Sequence, residues 1–363
     1  MTSITGKQTI QGSPRSILLI QLGDIGDVVL STPCIRALRD RYPQARIVVA
    51  VWDKAAELLE DCPWLDHVVA VTKGSRSLLE EVFFQLNFFR KLRNFHFDLA
   101  IDLRTGTRGG ILALLSGARQ RIGFYAEDGK LWRNRVFTSL LHREYAPDQH
   151  VVDYLLSLLE AFGVTTEEHS PTLVVSGGKL EKTEDFLKEE KIEPGSMLIA
   201  VQPFSLWRYK EWGQEKYISL INWLIERQNA TVVVTGSVPE RQRAEEIVRN
   251  CDKRCYNLAG KTSIAMYAAL LKKCHLFIGV DSAGLHIAAA VGTPTVSIFG
   301  PSSPISWAPR GACRLVVQKE FDCLPCRQKG CNGSEKSRCL DELTVNEVVE
   351  KLDSVQIRGV LKK

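Results

Sequence analysis

The chain has 363 residues, 45% hydrophobic and 25% charged, with a net charge of +5. That length exceeds one ordinary core and makes two domains the expectation. No run of about 18 apolar residues occurs and the polar start, MTSITGKQTIQGSPRS, lacks the apolar stretch of a secretory signal, which excludes membrane-spanning and secreted classes as expectations and leaves a cytoplasmic protein with a frayed first segment.

In chain order, Ser16 to Gln21 reads as a strand, followed by the loop Leu22-Gly23-Asp24-Ile25-Gly26-Asp27 and a helix to about Tyr42 that Pro33 kinks or restarts. Strands are predicted at Arg46 to Trp52, His67 to Val71, Phe97 to Leu103 and Arg119 to Phe124. Helices are predicted near Lys54 to Glu60, Ser77 to Asn94, Thr107 to Ser116 and Gln149 to Phe162. The alternation weakens after Thr166, where a domain boundary is placed, with a charged helix at Lys179 to Lys191. It resumes with strand Met197 to Gln202, helix Gln214 to Gln228, strand Ala230 to Thr235, helix Pro239 to Cys251 and helix Ser263 to Lys273. Then follow strand Leu276 to Val280, a short helix ended by Gly292, strand Thr295 to Phe299 and a last helix, Val345 to Val355. Such alternation predicts an α/β protein with mostly parallel sheets. The two halves share this plan without a sequence repeat.

The segment FIGVDSAGLHIAAAVGTPTVSIFGPSSP is the most informative. Its strand stops at Asp281-Ser282-Ala283-Gly284, where a helix opens. Asp281 or Ser282 can cap that helix, and the small residues admit a ligand close to the backbone. A first helical turn offers free N–H groups and positive potential, so a diphosphate is a natural guest. The competing reading is a packed corner with no ligand. His286, in the same first turn, is either a core residue or a phosphate or sugar contact.

Other strand ends carry polar residues. Asp24 and Asp27 flank Gly26 after Gly23, an incomplete dinucleotide fingerprint, so an oxidoreductase reading is weak. Asp27 is also placed to cap a helix. Ser205, Arg208 and Lys210 follow the first strand of the second half, and a lysine there can neutralise a phosphate leaving group. Glu240 suits ribose hydroxyls or a helix N-terminus.

Basic residues concentrate between Lys73 and Arg143, thirteen Lys and Arg against six Asp and Glu. The window lacks a nucleic-acid signature. A phosphorylated acceptor, an anionic membrane surface or a merely solvated face all suit it. Of ten cysteines, Cys323, Cys326, Cys331 and Cys339 cluster with spacing that suits a structural zinc or iron–sulfur site, or they are reduced thiols or adventitious disulfides.

Taken together, ILLIQLGDIGDVVLSTP, FDLAIDLRTGTRGG with ARQRIGF, IAVQPFSLWRYKEWGQEKY, VVVTGSVPE, NLAGKTS, the DSAG segment and the tail CLPCRQKGCNGSEKSRCL resemble glycosyltransferase family 9, the ADP-heptose:lipopolysaccharide heptosyltransferases. The resemblance implies a GT-B fold, two Rossmann-like doubly wound domains facing across a cleft, here 1–175 for the acceptor and 176–363 for the nucleotide sugar. The last helix, 345–355, is free in this scheme to pack back on the first domain. It implies inverting transfer with no cofactor required, to a phosphorylated lipopolysaccharide core acceptor at the inner membrane surface, with no nucleic acid partner. By motif it implies Asp27 as general base, within a loop of Gly23 and Gly26, and Lys210 on the phosphates. Ser205, Glu240, Asp281, Ser282, Ala283, Gly284 and His286 then face the donor, and Arg104, Arg108, Arg119 and Arg121 the acceptor's anionic groups. Where the family usually has glycine after Asp-Ser/Thr, this chain has Ala283 and then Gly284. The alternatives are the same chemistry with another nucleotide sugar, or a catalytically silent nucleotide-sugar-binding protein.

Overall fold

The structure, a computed structural model, describes residues 3–72, 78–127, 132–193, 197–311 and 313–354. Its contacts divide the chain into two units, Met1–Val174 and Val175–Lys363.

The first unit runs β1 (Ser3–Gly6), β2 (Ser16–Gln21), α1 (Ile25–Leu30), α2 (Thr32–Arg41), β3 (Arg46–Trp52), α3 (Asp53–Ala56), β4 (His67–Val71), α4 (Leu78–Arg93), β5 (Leu99–Asp102), α5 (Thr107–Leu115), β6 (Gln120–Phe124), β7 (Ser139–His142) and α6 (Val151–Glu160). The helix expected after β2 is interrupted at Ser31 and restarts as α2, with Pro33 in the first turn, where its missing N–H costs nothing. The sheet order is β1-β7-β6-β5-β2-β3-β4, parallel throughout except that β1 pairs antiparallel with β7. Ser3–Gly6 is therefore an edge strand and not the frayed tail expected. Its register sets Ser3 against His142 and Gly6 against Ser139.

The second unit runs α7 (Gly177–Glu189), β8 (Met197–Gln202), α8 (Gln214–Gln228), β9 (Ala230–Val234), α9 (Arg241–Arg249), β10 (Cys255–Asn257), α10 (Ile264–Lys273), β11 (Leu276–Val280), α11 (Ala283–Ala290), β12 (Thr295–Phe299), α12 (Pro304–Trp307), β13 (Arg314–Gln318), α13 (Arg338–Asp341) and α14 (Val345–Ser354). All neighbours in the order β10-β9-β8-β11-β12-β13 are parallel. α14 is seated on α8 and β13 of this same unit, with Val348 and Leu352 in its core. Its apolar residues Val345, Val348, Val349 and Leu352 recur at helical spacing and make one buried face.

Each unit has its own core. β2, β3 and β5 bury Leu18, Ile20, Val48, Ala50 and Ala100 completely in the first. β8, β9, β11 and β12 do the same with Ile199, Val201, Val232, Ile278 and Ile298 in the second. Strands buried on both faces read as unbroken apolar runs, which is why they were legible. Both sheets reverse direction of assembly once, between β2 and β5 and between β8 and β11. Ligands of open parallel sheets bind outside the carboxyl ends at that reversal.

Candidate functional site

In the first unit the reversal point is occupied by the Gly23 loop and Arg104. Asp24 caps α1, and its backbone N–H donates to Asp27 Oδ2 at 2.9 Å in a capping box. Arg104, two residues beyond β5, donates from Nη1 to the same oxygen at 2.7 Å. Asp27 Oδ1 carries no hydrogen bond among the described residues. Gly23 has to be glycine, since a Cβ there would lie 2.3 Å from Asp27 Oδ2 and 2.7 Å from the Arg104 guanidinium. Gly26 lies in the first turn of α1.

Arg104 is itself held from below. Its N–H donates to Asp102 Oδ1 (3.1 Å), and its carbonyl accepts from Arg133 Nη2 (2.6 Å), which also bonds Asp102 Oδ2 (3.1 Å). Asp102 and Arg133 are almost wholly buried. Burial pushes the Asp102 carboxyl up to about 7, against the pull of Arg133 and the Arg104 N–H. Neither residue was singled out in the sequence. An aspartate closing an apolar strand just before Arg104 was the available signal.

A pocket of about 380 Å³ opens beside this pair, lined by Leu22, Gly23, Asp24, Trp52, Asp53, Lys54 and Arg104. Trp52 Nε1 donates to the Leu22 carbonyl at 2.8 Å, and the Arg108 guanidinium lies 4.9 Å over its ring. Lys54 Nζ pairs with Asp24 Oδ1 at 2.6 Å. Of the four arginines expected to face an acceptor, Arg104 and Arg108 stand here. Arg119 and Arg121 do not: they stand at the amino end of β6, which runs parallel to β5. The Arg121 guanidinium is taken up by the Val136 and Ala118 carbonyls. That correction was available from the order of residues, because both precede the body of their strand.

In the second unit the loops after β8 and β11 meet at the reversal. Lys210 Nζ pairs with Asp281 Oδ2 at 2.6 Å, and His286 Nε2 lies 3.9 Å from Asp281 Oδ1. Asp281 and His286 are both 6% exposed. Ser282 is the N-cap of α11, and its buried Oγ has no hydrogen-bond partner among the described residues. Ala283 opens the helix, whose first N–H groups are those that a helix leaves unsatisfied. Gly284 is sterically fixed: an added Cβ would fall 1.9 Å from Gln202 Oε1 and 2.6 Å from Tyr267 Oη. Tyr267 donates to Gln202 Oε1, so this floor is built from three elements. The requirement for glycine therefore falls on position 284, and Ala283 is the tolerant neighbour.

Ser205 is brought to the same loop, with its N–H donating to Glu211 Oε1 (3.2 Å) and its Oγ accepting from the Trp207 N–H (3.3 Å). Glu211 is paired with Arg243, whose guanidinium lies 4.6 Å over the Phe204 ring. Glu240 Oε2 accepts from the Ser237 N–H (2.6 Å) and hydroxyl (2.8 Å), closing a capping box ahead of α9.

All ten cysteines are free thiols. Cys323 and Cys331 are exposed, and Cys339 is buried in the second core. Burial pushes the Cys339 thiol up to about 11, with Cys326 and Cys331 adding to the rise. As placed, they form no group able to hold a metal ion among the described residues, so the four-ligand expectation is not met by this arrangement. What the tail does instead was not visible in the sequence. Ser337 donates to the Tyr209 carbonyl (2.6 Å), the Leu343 carbonyl accepts from Trp212 Nε1 (2.9 Å), and Lys329 lies 5.4 Å over the Trp207 ring. The cysteine-bearing segment thus braces the loop that carries Lys210.

Comparison with known proteins gives the chain a family. Residues 85–336 match the model of glycosyltransferase family 9 (heptosyltransferase). The chain is 29% identical over 293 residues to lipopolysaccharide heptosyltransferase 3 of Escherichia coli strain K12, covering 78% of this chain and 82% of that one. Among solved structures, E. coli ADP-heptose lipopolysaccharide heptosyltransferase II superposes with a TM-score of 0.78 at 23% identity, over 95% of this chain and 99% of that one. A family 9 glycosyltransferase from Veillonella parvula superposes with a TM-score of 0.81 at 20% identity, over 98% and 100%. Two Rossmann-like units of the GT-B class, with the family's sequence running through most of the chain, make this protein a member of glycosyltransferase family 9.

Proposed function

We propose that this protein is an inverting glycosyltransferase that moves a heptose from ADP-heptose to a lipopolysaccharide core acceptor. The observation that carries the reading is the head of α11, where the Ser282 hydroxyl is buried without a partner beside the Lys210–Asp281 pair. Such a site suits a diphosphate, which takes hydrogen bonds from the free N–H groups and from Ser282 and neutralising charge from Lys210. As the anomeric C–O bond breaks, charge grows on the leaving diphosphate, and donors already in place stabilise it without reorganising.

Asp27 is the base in this reading. Oδ2 is fixed by the Asp24 N–H and Arg104, which leaves Oδ1 to take the proton of the attacking acceptor hydroxyl. The electron pair of that hydroxyl forms the new glycosidic bond on the face opposite the departing diphosphate, and the proton passes to Oδ1. The Trp52 pocket holds the acceptor, with Lys54, Arg104 and Arg108 for its anionic groups. The reading requires that an acceptor on the first unit reach a donor on the second. It assigns leaving-group charge to protein groups, so transfer is expected to proceed in the presence of a chelator. The acceptor belongs to a membrane lipid, and we place the reaction at the cytoplasmic face of the inner membrane. No helix among the described residues is long and apolar enough to cross a membrane.

The test is calorimetry with ADP-, UDP-, GDP- and dTDP-sugars, followed by turnover of the bound donor with a delipidated core acceptor. Selective binding of the ADP compound and transfer of its heptose are expected. Preference for a uridine compound reassigns the donor, and binding without turnover makes the protein a silent nucleotide-sugar binder.

A further inference from the structure

Helix α4 carries a feature that neither site uses. Val82, Phe83 and Leu86 are 55%, 72% and 63% exposed. Leu92 on the other side is buried, and Phe88 and Phe89 pack against the first unit's core. At 3.6 residues per turn, positions 82, 83, 86, 90 and 93 share one outward face. That face therefore passes from three large apolar side chains to Arg90 and Arg93, with Lys91 exposed in the same last turn. The acids of the helix, Glu80 and Glu81, are confined to its first turn. Arg93 Nε donates to the Leu115 carbonyl at 3.1 Å, which brings the end of α5, with its 40% exposed Leu114, beside the end of α4.

We propose that this face of α4 docks on an anionic lipid bilayer, with Val82, Phe83 and Leu86 entering the headgroup–acyl boundary and Arg90 and Arg93 meeting lipid phosphates. A row of apolar side chains continued by cations is the pattern of a helix lying in the interface plane. Charge complementarity selects this occupant. Arg90 and Arg93 put unopposed positive charge on this face, since the acids of the helix lie a full two turns away at its start, and an anionic surface attracts both. The inference deepens the membrane placement proposed above and rests on it for its biological setting, but its test involves no sugar.

The assay is co-sedimentation of the full chain with phosphatidylcholine vesicles, with and without phosphatidylglycerol. Wild type is expected to bind only the vesicles containing phosphatidylglycerol, and less at high salt. The triple variant Val82→Asn, Phe83→Ser, Leu86→Gln should lose more than about ten-fold in partitioning, and Arg90→Ala about five-fold. Phe83→Trp should show a blue-shifted emission on adding the same vesicles, and this variant guards against misfolding of the triple one. Retained binding by the triple variant, no binding by wild type, or a change of sedimentation coefficient in place of vesicle binding each overturns the proposal. Transfer to a delipidated acceptor is expected to be unchanged in these variants. Loss of vesicle binding with transfer intact separates this inference from the catalytic reading, and the converse result fails the catalytic reading alone.

Discussion

Replacing Asp27 with Asn removes one charge and nothing else of size. The amide oxygen can still accept the Asp24 N–H, so the capping box is largely kept. The pair with Arg104 is lost, but its side chains are 46% and 21% exposed, and a pair so wetted contributes at most about 1 kcal/mol. Stability should therefore fall by no more than about 1 kcal/mol. A general base contributes about 10² to 10⁴ in rate, or roughly 3 to 5.5 kcal/mol of barrier. The variant should melt close to wild type, bind ADP-sugar within a few-fold, and release ADP in the presence of acceptor at least about a hundred times more slowly. Chromatographic detection of glycosylated acceptor with parallel calorimetry reads both quantities. Turnover within a few-fold of wild type would remove the proton from Asp27 and with it the role of the Gly23 loop. A loss matched by an equal fall in thermal stability would mean that the carboxylate is structural only.

Lys210→Met should weaken donor binding and slow transfer by about 10² or more, because a positioned cation is withdrawn from the leaving group; unchanged kinetic constants would take it out of the site. Gly284→Ala should destabilise the second unit by about 1–3 kcal/mol through its clash with Gln202 and Tyr267. Ala283→Gly should shift a urea transition far less, and equal effects would contradict the steric assignment. Glu347 is held down to about 2 by Lys319 and by the Thr344 backbone and hydroxyl at the start of α14. Since its unfolded value is near 4.5, its contribution is complete above that pH and is lost as pH falls toward 2. Glu347→Gln should flatten the acid limb of the stability curve by a few tenths to about 1 kcal/mol, given its exposure, and an unchanged limb would assign the loss to other carboxylates.

Much of the fold was legible because the central strands are continuous apolar runs bounded by Gly, Ser and Asp. β3, β8, β11 and β12 fall where the residues placed them. The misses lie at the sheet edges or one strand in from them. Ser3–Gly6, Ser139–His142, Cys255–Asn257 and Arg314–Gln318 are short or half polar, and only pairing to a neighbour makes them strands. The candidate site was legible as residues but not as pairs. Asp27 and Arg104 are 77 positions apart, and Lys210 and Asp281 are 71 apart. Their meeting depends on β2 lying beside β5 and β8 beside β11, which no local pattern states. The same holds for the cysteine-bearing tail, whose contacts to Tyr209 and Trp212 span more than a hundred residues.

The two sheets turn about at the same rung, and this has an evolutionary implication. A layered fold whose connections switch sides once leaves a single notch at its rim where main-chain groups stand unclaimed. In one half that notch is filled by a carboxylate gripped by a guanidinium, in the other by a serine-capped helix end with a lysine across it. Sequence kinship between the halves can decay entirely while the notch stays put, because geometry alone preserves it. Different chemistry in the two halves, as proposed above for acceptor and donor, thus needs only new side chains at the two notches, with the scaffold left untouched.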